Sequence, residues 1–190
     1  MPLTKVRSGG YDTIPSSVLT SVPASSLTGS SLPSTIGLGT TITTSDIRLL
    51  TGIPSTAKMV IIGTTALSPN SAGDNANYVL QLGTSSGLTT SGYQSHMFYS
   101  YNSGSDNDSA ATDGIHLGGW GNASTHEVIC TCYNVTGNTW VYNMHSQVDT
   151  GYAGAMFVVG GIALGGALER CGWVFTAGNY SSGTMSLTYY

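Results

Sequence analysis

Apolar residues along this chain follow two patterns. In the first forty positions they recur in a short phrase of an aliphatic residue, proline and small hydroxylated residues: Ile14-Pro15-Ser16-Ser17-Val18-Leu19, Val22-Pro23-Ala24-Ser25-Ser26-Leu27 and Leu32-Pro33-Ser34-Thr35-Ile36. Each proline holds the residue before it extended and withholds a backbone donor, so the segment reads as extended chain. A phrase of this length makes no core of its own. One reading is a disordered linker, because polar low-complexity tracts bury too little apolar surface to offset their ordering entropy. The other is a parallel, threefold shaft in which Ile14, Val18, Leu19, Val22, Leu27, Leu32 and Ile36 of several copies face a shared axis. No Asp, Glu, Lys or Arg lies between Asp12 and Asp46, which favours the shaft, since disordered linkers tend to be charged.

From Ile53-Pro54 onward the pattern is that of strands. Residues 57–63, 77–83 and 96–101 are short runs rich in β-branched and aromatic residues, bounded by Gly, Ser or Asn. Residues 127–134 and 138–145 flank Val135-Thr136-Gly137 and predict a hairpin. Further strands are expected at 155–159, 168–175 and 184–190, and no run of helical length shows a 3.6-residue period. The longest apolar run, 153–168, has sixteen residues and falls short of the roughly 20 that span a bilayer as a helix. Its Gly160-Gly161 and Gly165-Gly166 pairs suggest bends within a buried strand pair. Eight or so strands separated by turn residues predict an all-β fold, an antiparallel, jelly-roll-like β-sandwich. The expected organisation is an N-terminal anchor and extended oligomerisation shaft over 1–52, ending in a connector from Thr40 to Gly52, and a knob domain over 53–190.

Composition narrows the function. Only 7% of the 190 residues are charged, against about 25% in a typical soluble domain. Ser, Thr, Asn and Gly must therefore keep the surface wet, as is common in proteins that act outside cells or within large assemblies. Five basic against nine acidic residues give a net charge of −4 with no basic stripe, which argues against nucleic acid as a partner. No phosphate-cradling glycine motif is present. Three cysteines, an odd number, close no complete disulfide framework, and the chain start lacks the apolar core of a signal peptide. Synthesis in a reducing cytoplasm is expected, with no membrane span.

Candidate chemistry is sparse. Cys130 and Cys132 face one side of a strand and share a direction from which to bind metal, but the histidines are scattered singly and a core role is the better account. Asp106, Asp108 and Asp113 lie in a polar stretch read as a solvated loop; whether they bind calcium stays open, since the closing bidentate Glu of a calcium loop is missing. No nucleophile elbow or zinc-protease helix occurs, and Glu127 and Glu169 are the only glutamates. No enzyme activity, cofactor or metal is expected. Tyr and Trp suit surfaces with one dry and one wet side, sugar rings included, so Tyr93, Tyr99, Tyr101, Trp120 and Asn122 are the candidate ligand-binding residues.

The opening Met1-Pro2-Leu3-Thr4-Lys5-Val6-Arg7 resembles the Met-Ala-Leu-Thr-Lys-Val start common in bacteriophage tail-fibre and tail-spike proteins. Val22-Pro23-Ala24-Ser25-Ser26-Leu27-Thr28-Gly29 is similar to the Val-Pro-Ala-x-x-Leu-Thr-Gly phrases of phage fibre shafts. The segments Tyr78-Val79-Leu80-Gln81-Leu82-Gly83, Gly87-Leu88-Thr89-Thr90-Ser91-Gly92-Tyr93 and 168–190 resemble C-terminal β-domains of phage virion proteins. The resemblance implies a homotrimer on the virion surface, assembled in the host cytoplasm, held to capsid or tail proteins by its N-terminus and exposing a knob for a host receptor or glycan. The chain is short for a tail fibre and has no recognisable tail-docking domain, which leaves a head fibre or capsid decoration protein open. A free, lectin-like carbohydrate-binding module is the alternative of a different class.

Overall fold

In the computed structural model the described residues are 40–44, 49–69, 78–101, 106–117, 125–149, 154–175 and 180–190. They belong to the second of two units in the chain, Gly37–Tyr190. The aliphatic positions of the repeated phrases, from Ile14 to Ile36, lie outside the described residues, as do Trp120 and Asn122.

Among the described residues thirteen strands form two antiparallel sheets packed as a β-sandwich: β1 (Thr40–Thr44), β2 (Leu50–Thr51), β3 (Met59–Pro69), β4 (Tyr78–Thr84), β5 (Gly87–Leu88), β6 (Gln94–Tyr101), β7 (Asp106–Ala111), β8 (Ile115–Leu117), β9 (Thr125–Thr136), β10 (Thr139–Asp149), β11 (Gly154–Ala163), β12 (Arg170–Phe175) and β13 (Tyr180–Tyr189). The larger sheet has eight strands in the order β1-β13-β3-β9-β10-β11-β6-β7. The smaller has five: β2, β12 and β4 in sequence, with β5 and β8 pairing opposite ends of the free edge of β4.

The central hairpin shows why this sequence folds as it does. Along β9 His126, Val128, Cys130 and Cys132 point inward, and along β10 Trp140, Tyr142, Met144, Ser146 and Val148 do the same. This is the two-residue period of a strand with one face on a core. The turn is tighter than the sequence predicts, two residues and not three: Val135 and Thr136 extend β9, and Gly137-Asn138 closes the hairpin. Gly137 supplies the positive φ of 52° that matches a tight turn to the twist of the strands.

Strand β4 is buried on both faces, from Tyr78 through Leu82. Its outer side is covered by the turn after β7, where Gly114 lies directly against Val79 and the Gln81 amide donates to the Asp113 carbonyl at 2.8 Å. The sheets are tied together by Trp173 on β12, whose indole N–H donates to Thr64 Oγ1 on β3 at 3.0 Å. Tyr93 fastens the start of β6 to the small sheet: its Oη accepts from Leu82 N at 2.8 Å and donates to Leu82 O at 3.2 Å.

Three expectations are corrected. Within the expected connector, Thr40–Thr44 and Leu50–Thr51 form sheet, since β1 pairs with β13 from Thr40↔Tyr189 to Thr44↔Met185, and β2 pairs with β12 at Leu50↔Cys171. The run Thr-Thr-Ile-Thr-Thr has a single aliphatic residue and so lacks the alternation that signals a strand; its β-branched side chains nonetheless suit a sheet edge. The Asp-rich stretch is also no simple loop: Asp106 and Asp108 belong to β7, which pairs with β6, and charge on an edge strand discourages pairing with a further chain. Finally, Gly160-Gly161 makes no bend. β11 runs straight through the pair and turns only at Gly165-Gly166. Gly160 is a packing glycine: a Cβ there would collide with Gln94 O and stand 2.6 Å from Tyr142 Oη.

Candidate interaction face

Strand alternation that sends one set of side chains into the core sends the other to the outer face of the eight-stranded sheet. On most sandwiches this face is polar. Here Ile129 on β9, His145 on β10, Phe157 on β11 and Phe98 on β6 stand directly opposite one another, strand to strand, in one row. Gly63 on β3 continues the row beyond Ile129. A neighbouring row carries Thr131, Asn143, Val159 and His96, and a third carries Tyr133, Val141 and Gly161. The exposed fractions are large: Ile129 50%, Phe98 48%, Tyr133 45%, Val141 42% and Phe157 37%. Cross-strand pairs of this kind stabilise a sheet by a few tenths to about 1 kcal/mol each; the His145 and Phe157 rings meet at 4.8 Å, inclined by 56°. That is a modest return for so much apolar surface left in water.

Two shallow depressions mark the face where glycine leaves the sheet bare. One, about 460 Å³, lies over Gly63 and is bordered by Thr65, Glu127, Ile129, His145 and Gln147. The other, about 650 Å³, lies over Gly160-Gly161 and is bordered by Gln94, His96, Ala110, Val141 and Val159. Charge is scarce. The eight strands of this sheet carry no Lys or Arg, and their carboxylates are Glu127, Asp149 and, on the edge strand β7, Asp106 and Asp108. Glu127 Oε1 accepts from the Ala66 amide at 3.0 Å. Ala66 sits at a bulge between β3 and β9 with a positive φ of 53°, and Ser182 Oγ donates to its carbonyl at 3.2 Å. The carboxylate therefore holds a strained bulge in place.

The residues singled out from the sequence are not gathered on this face. Tyr93 is 1% exposed and its hydroxyl is taken up by Leu82, so it offers no ring to a ligand. Burial, offset in part by the bond to the Leu82 backbone, pushes its phenol well above the usual range. Tyr99 is partly buried and packs against the core. Tyr99 on β6 and Tyr93 just before it share the inward parity of Ser95 and Met97. Tyr101 ends β6, where its backbone pairs with Gly154. Among the described residues the exposed Phe and Tyr rings on this face are those of Phe98, Phe157 and Tyr133. A signal for them was present in the sequence: in 96–101 and 127–134 apolar residues occupy both parities, so whichever parity faces the core, the other is apolar too.

The remaining candidates have structural roles. Cys130 and Cys132 point the same way, as their spacing predicts, with Sγ atoms 3.9 Å apart and fully buried. The contact with Cys132 and burial raise the Cys130 thiol well above its ordinary value, and burial raises Cys171. The Cys130 and Cys171 thiols are thus held protonated, and all three cysteines fill space in the core. Asp113 accepts from or pairs with His116 Nε2 at 2.6 Å in the turn after β7. Among the described residues no group of three His, Cys, Asp or Glu side chains is placed to hold a metal ion. Glu127 stands on the large sheet, while Glu169 immediately precedes β12 of the small one, where its carbonyl accepts from Gly52 and Ile53. Among the described residues no helix is long and apolar enough to cross a membrane. Compared with known proteins, the chain matches no family model, no curated protein and no solved structure.

Proposed function

We propose that this chain is a structural protein of a bacteriophage virion: a short homotrimeric fibre on the particle surface, anchored through its N-terminal segment, with the sandwich as an exposed, jelly-roll-like knob for a host receptor or glycan. The reading assigns the protein no catalytic step and no cofactor. The observation that carries it is the order of parts: three aliphatic-proline phrases without charge precede a β-sandwich that is itself nearly free of basic residues. The phrases lack a core of their own and gain one when copies run in parallel. The sandwich, wet by hydroxyls and amides, suits an outer position on an assembly.

A capsid decoration role is the second reading, favoured by the broad apolar face, which fits a protein surface better than a sugar. Two measurements test the proposal. Light scattering of the full chain is expected to give the mass of three copies, and a monomer overturns the fibre. Gold-labelled antibody against the sandwich is expected to mark virions in electron micrographs. Label at the tail favours the fibre, label over the head favours decoration, and label confined to the soluble fraction overturns both.

A further inference from the structure

We infer that the outer face of the eight-stranded sheet, centred on Ile129, Phe157 and Phe98, is the surface on which a second copy of this chain packs. The inference deepens the homotrimer part of the proposal above and rests on that part alone. Its first support is area. With ~200 Å² for a large side chain, the exposed parts of Ile129, Phe98, Tyr133, Val141 and Phe157 amount to on the order of 450 Å² of apolar surface, in two rows separated by the row of Thr131, Asn143, Val159 and His96. This lies in the middle of the range of about 300–600 Å² for the largest apolar patch on a monomer, a patch that often marks an interaction site. It is a little over half of the ~800 Å² that each partner contributes to a standard interface. Interfaces are roughly 56–65% apolar, so the polar remainder is what His96, Asn143, His145 and Gln147 around the rows provide.

The second support is charge. A surface that meets a copy of itself must not set like charges against each other. No strand of this sheet has a Lys or Arg, and its carboxylates sit at the border of the patch: Glu127, engaged by the Ala66 amide, Asp149 at the end of β10, and Asp106 and Asp108 on the edge strand β7, where Asp108 pairs with Phe98. An acidic or nucleic-acid partner would find no cation here, whereas a copy of the same face finds matched apolar rows. The third support is shape. A pleated sheet face packs on another sheet face with side chains interdigitating, and the depressions over Gly63 and Gly161 are openings into which the rings of a neighbour fit.

The test places photoreactive p-benzoylphenylalanine at position 157 of the full chain, where an aromatic ring of similar shape already stands exposed. Irradiation is expected to give covalent species of twice and three times the chain mass, with the linked peptide inside 94–101, 125–149 or 154–163. Introducing Ile129→Asp into the same chain is expected to lower that yield about tenfold or more, as for a central interface residue, with the circular dichroism spectrum unchanged. A trimer by light scattering that gives no covalent species, or a link only to residues 1–36, overturns this inference and leaves the fibre standing. A monomer overturns both. An undiminished yield in a folded Ile129→Asp chain also overturns it, and if that variant fails to fold the position of the link in the otherwise unaltered chain decides.

Discussion

Gly160 sits directly between Tyr142 on β10 and Ser95 on β6 in the cross-strand register. Because it has no side chain, the tyrosine lies across it and Tyr142 Oη reaches Ser95 Oγ at 2.7 Å inside the core. Burial pushes the phenol up to about 12, against the opposing effect of the Ser95 hydrogen bond, so it remains protonated at all ordinary pH. Gly160→Ala is expected to lower the unfolding free energy by about 2–3 kcal/mol, the cost of forcing a methyl into a filled site. Tyr142→Phe is expected to cost roughly 1–2 kcal/mol by leaving the buried Ser95 hydroxyl without this partner. The double variant should cost less than the two together, because the phenolic oxygen is one of the atoms the new methyl meets. Urea denaturation of the three chains measures this; strict additivity would show that the ring and the glycine are not coupled.

At the scale of elements, the edges carry the least obvious information. β1 covers β13 over five residue pairs, and β2 brings Leu50 into the core beside Cys171. Ile53, also buried, follows at once, its amide donating to the Glu169 carbonyl. A chain beginning at Ile53 would expose the outer edge of β13 and remove Leu50 from the core. It is expected to be less stable than one beginning at Gly37 by at least about 2–3 kcal/mol, the cost of losing one buried leucine, and to aggregate through its bare strand edge. Thermal melts of the two chains, followed by circular dichroism, decide it; equal melting temperatures would mean that β1 and β2 are accessory. The central hairpin needed no such correction beyond its turn, since alternation over a long stretch is a strong signal, whereas a five-residue threonine-rich strand offers one aliphatic residue to read.

At the scale of the molecule, one buried base sets a pH response. His126 is fully buried on β9, its ring 4.9 Å from that of Tyr78 on β4 and its Nδ1 3.3 Å from Ser146 Oγ on β10. Burial lowers its pKa from 6.5 to about 4. Above about 6.5 the imidazole is neutral whether the chain is folded or not. Between 6.5 and 4 the unfolded chain takes up a proton that the folded chain refuses, so stability falls as pH drops through that window and then levels off. The loss attributable to this residue is expected to be roughly 3 kcal/mol. The difference in unfolding free energy between pH 7 and pH 4, compared with that of His126→Leu, measures it; identical pH profiles would show that His126 is not the group responsible.

The sequence by itself determined the fold class, most strand positions and the inward direction of Cys130 and Cys132, because these depend on a two-residue period that each strand carries locally. It also determined the scarcity of charge, which limits the partners this protein suits. Which face of each strand looks at water was decided by tertiary structure. Phe98, Ile129 and Phe157 are distant in sequence and meet only through the registers of four neighbouring strands, and Tyr93, a candidate ligand-binding residue from the sequence, is buried because Leu82 of the small sheet lies beside it. The same holds for Gly160, whose sequence context suggested a bend and whose actual task is to leave room for Tyr142. Local patterns follow from how a strand alternates; the interaction face follows from which strands lie side by side, and that order is fixed by long-range pairing that no single segment encodes.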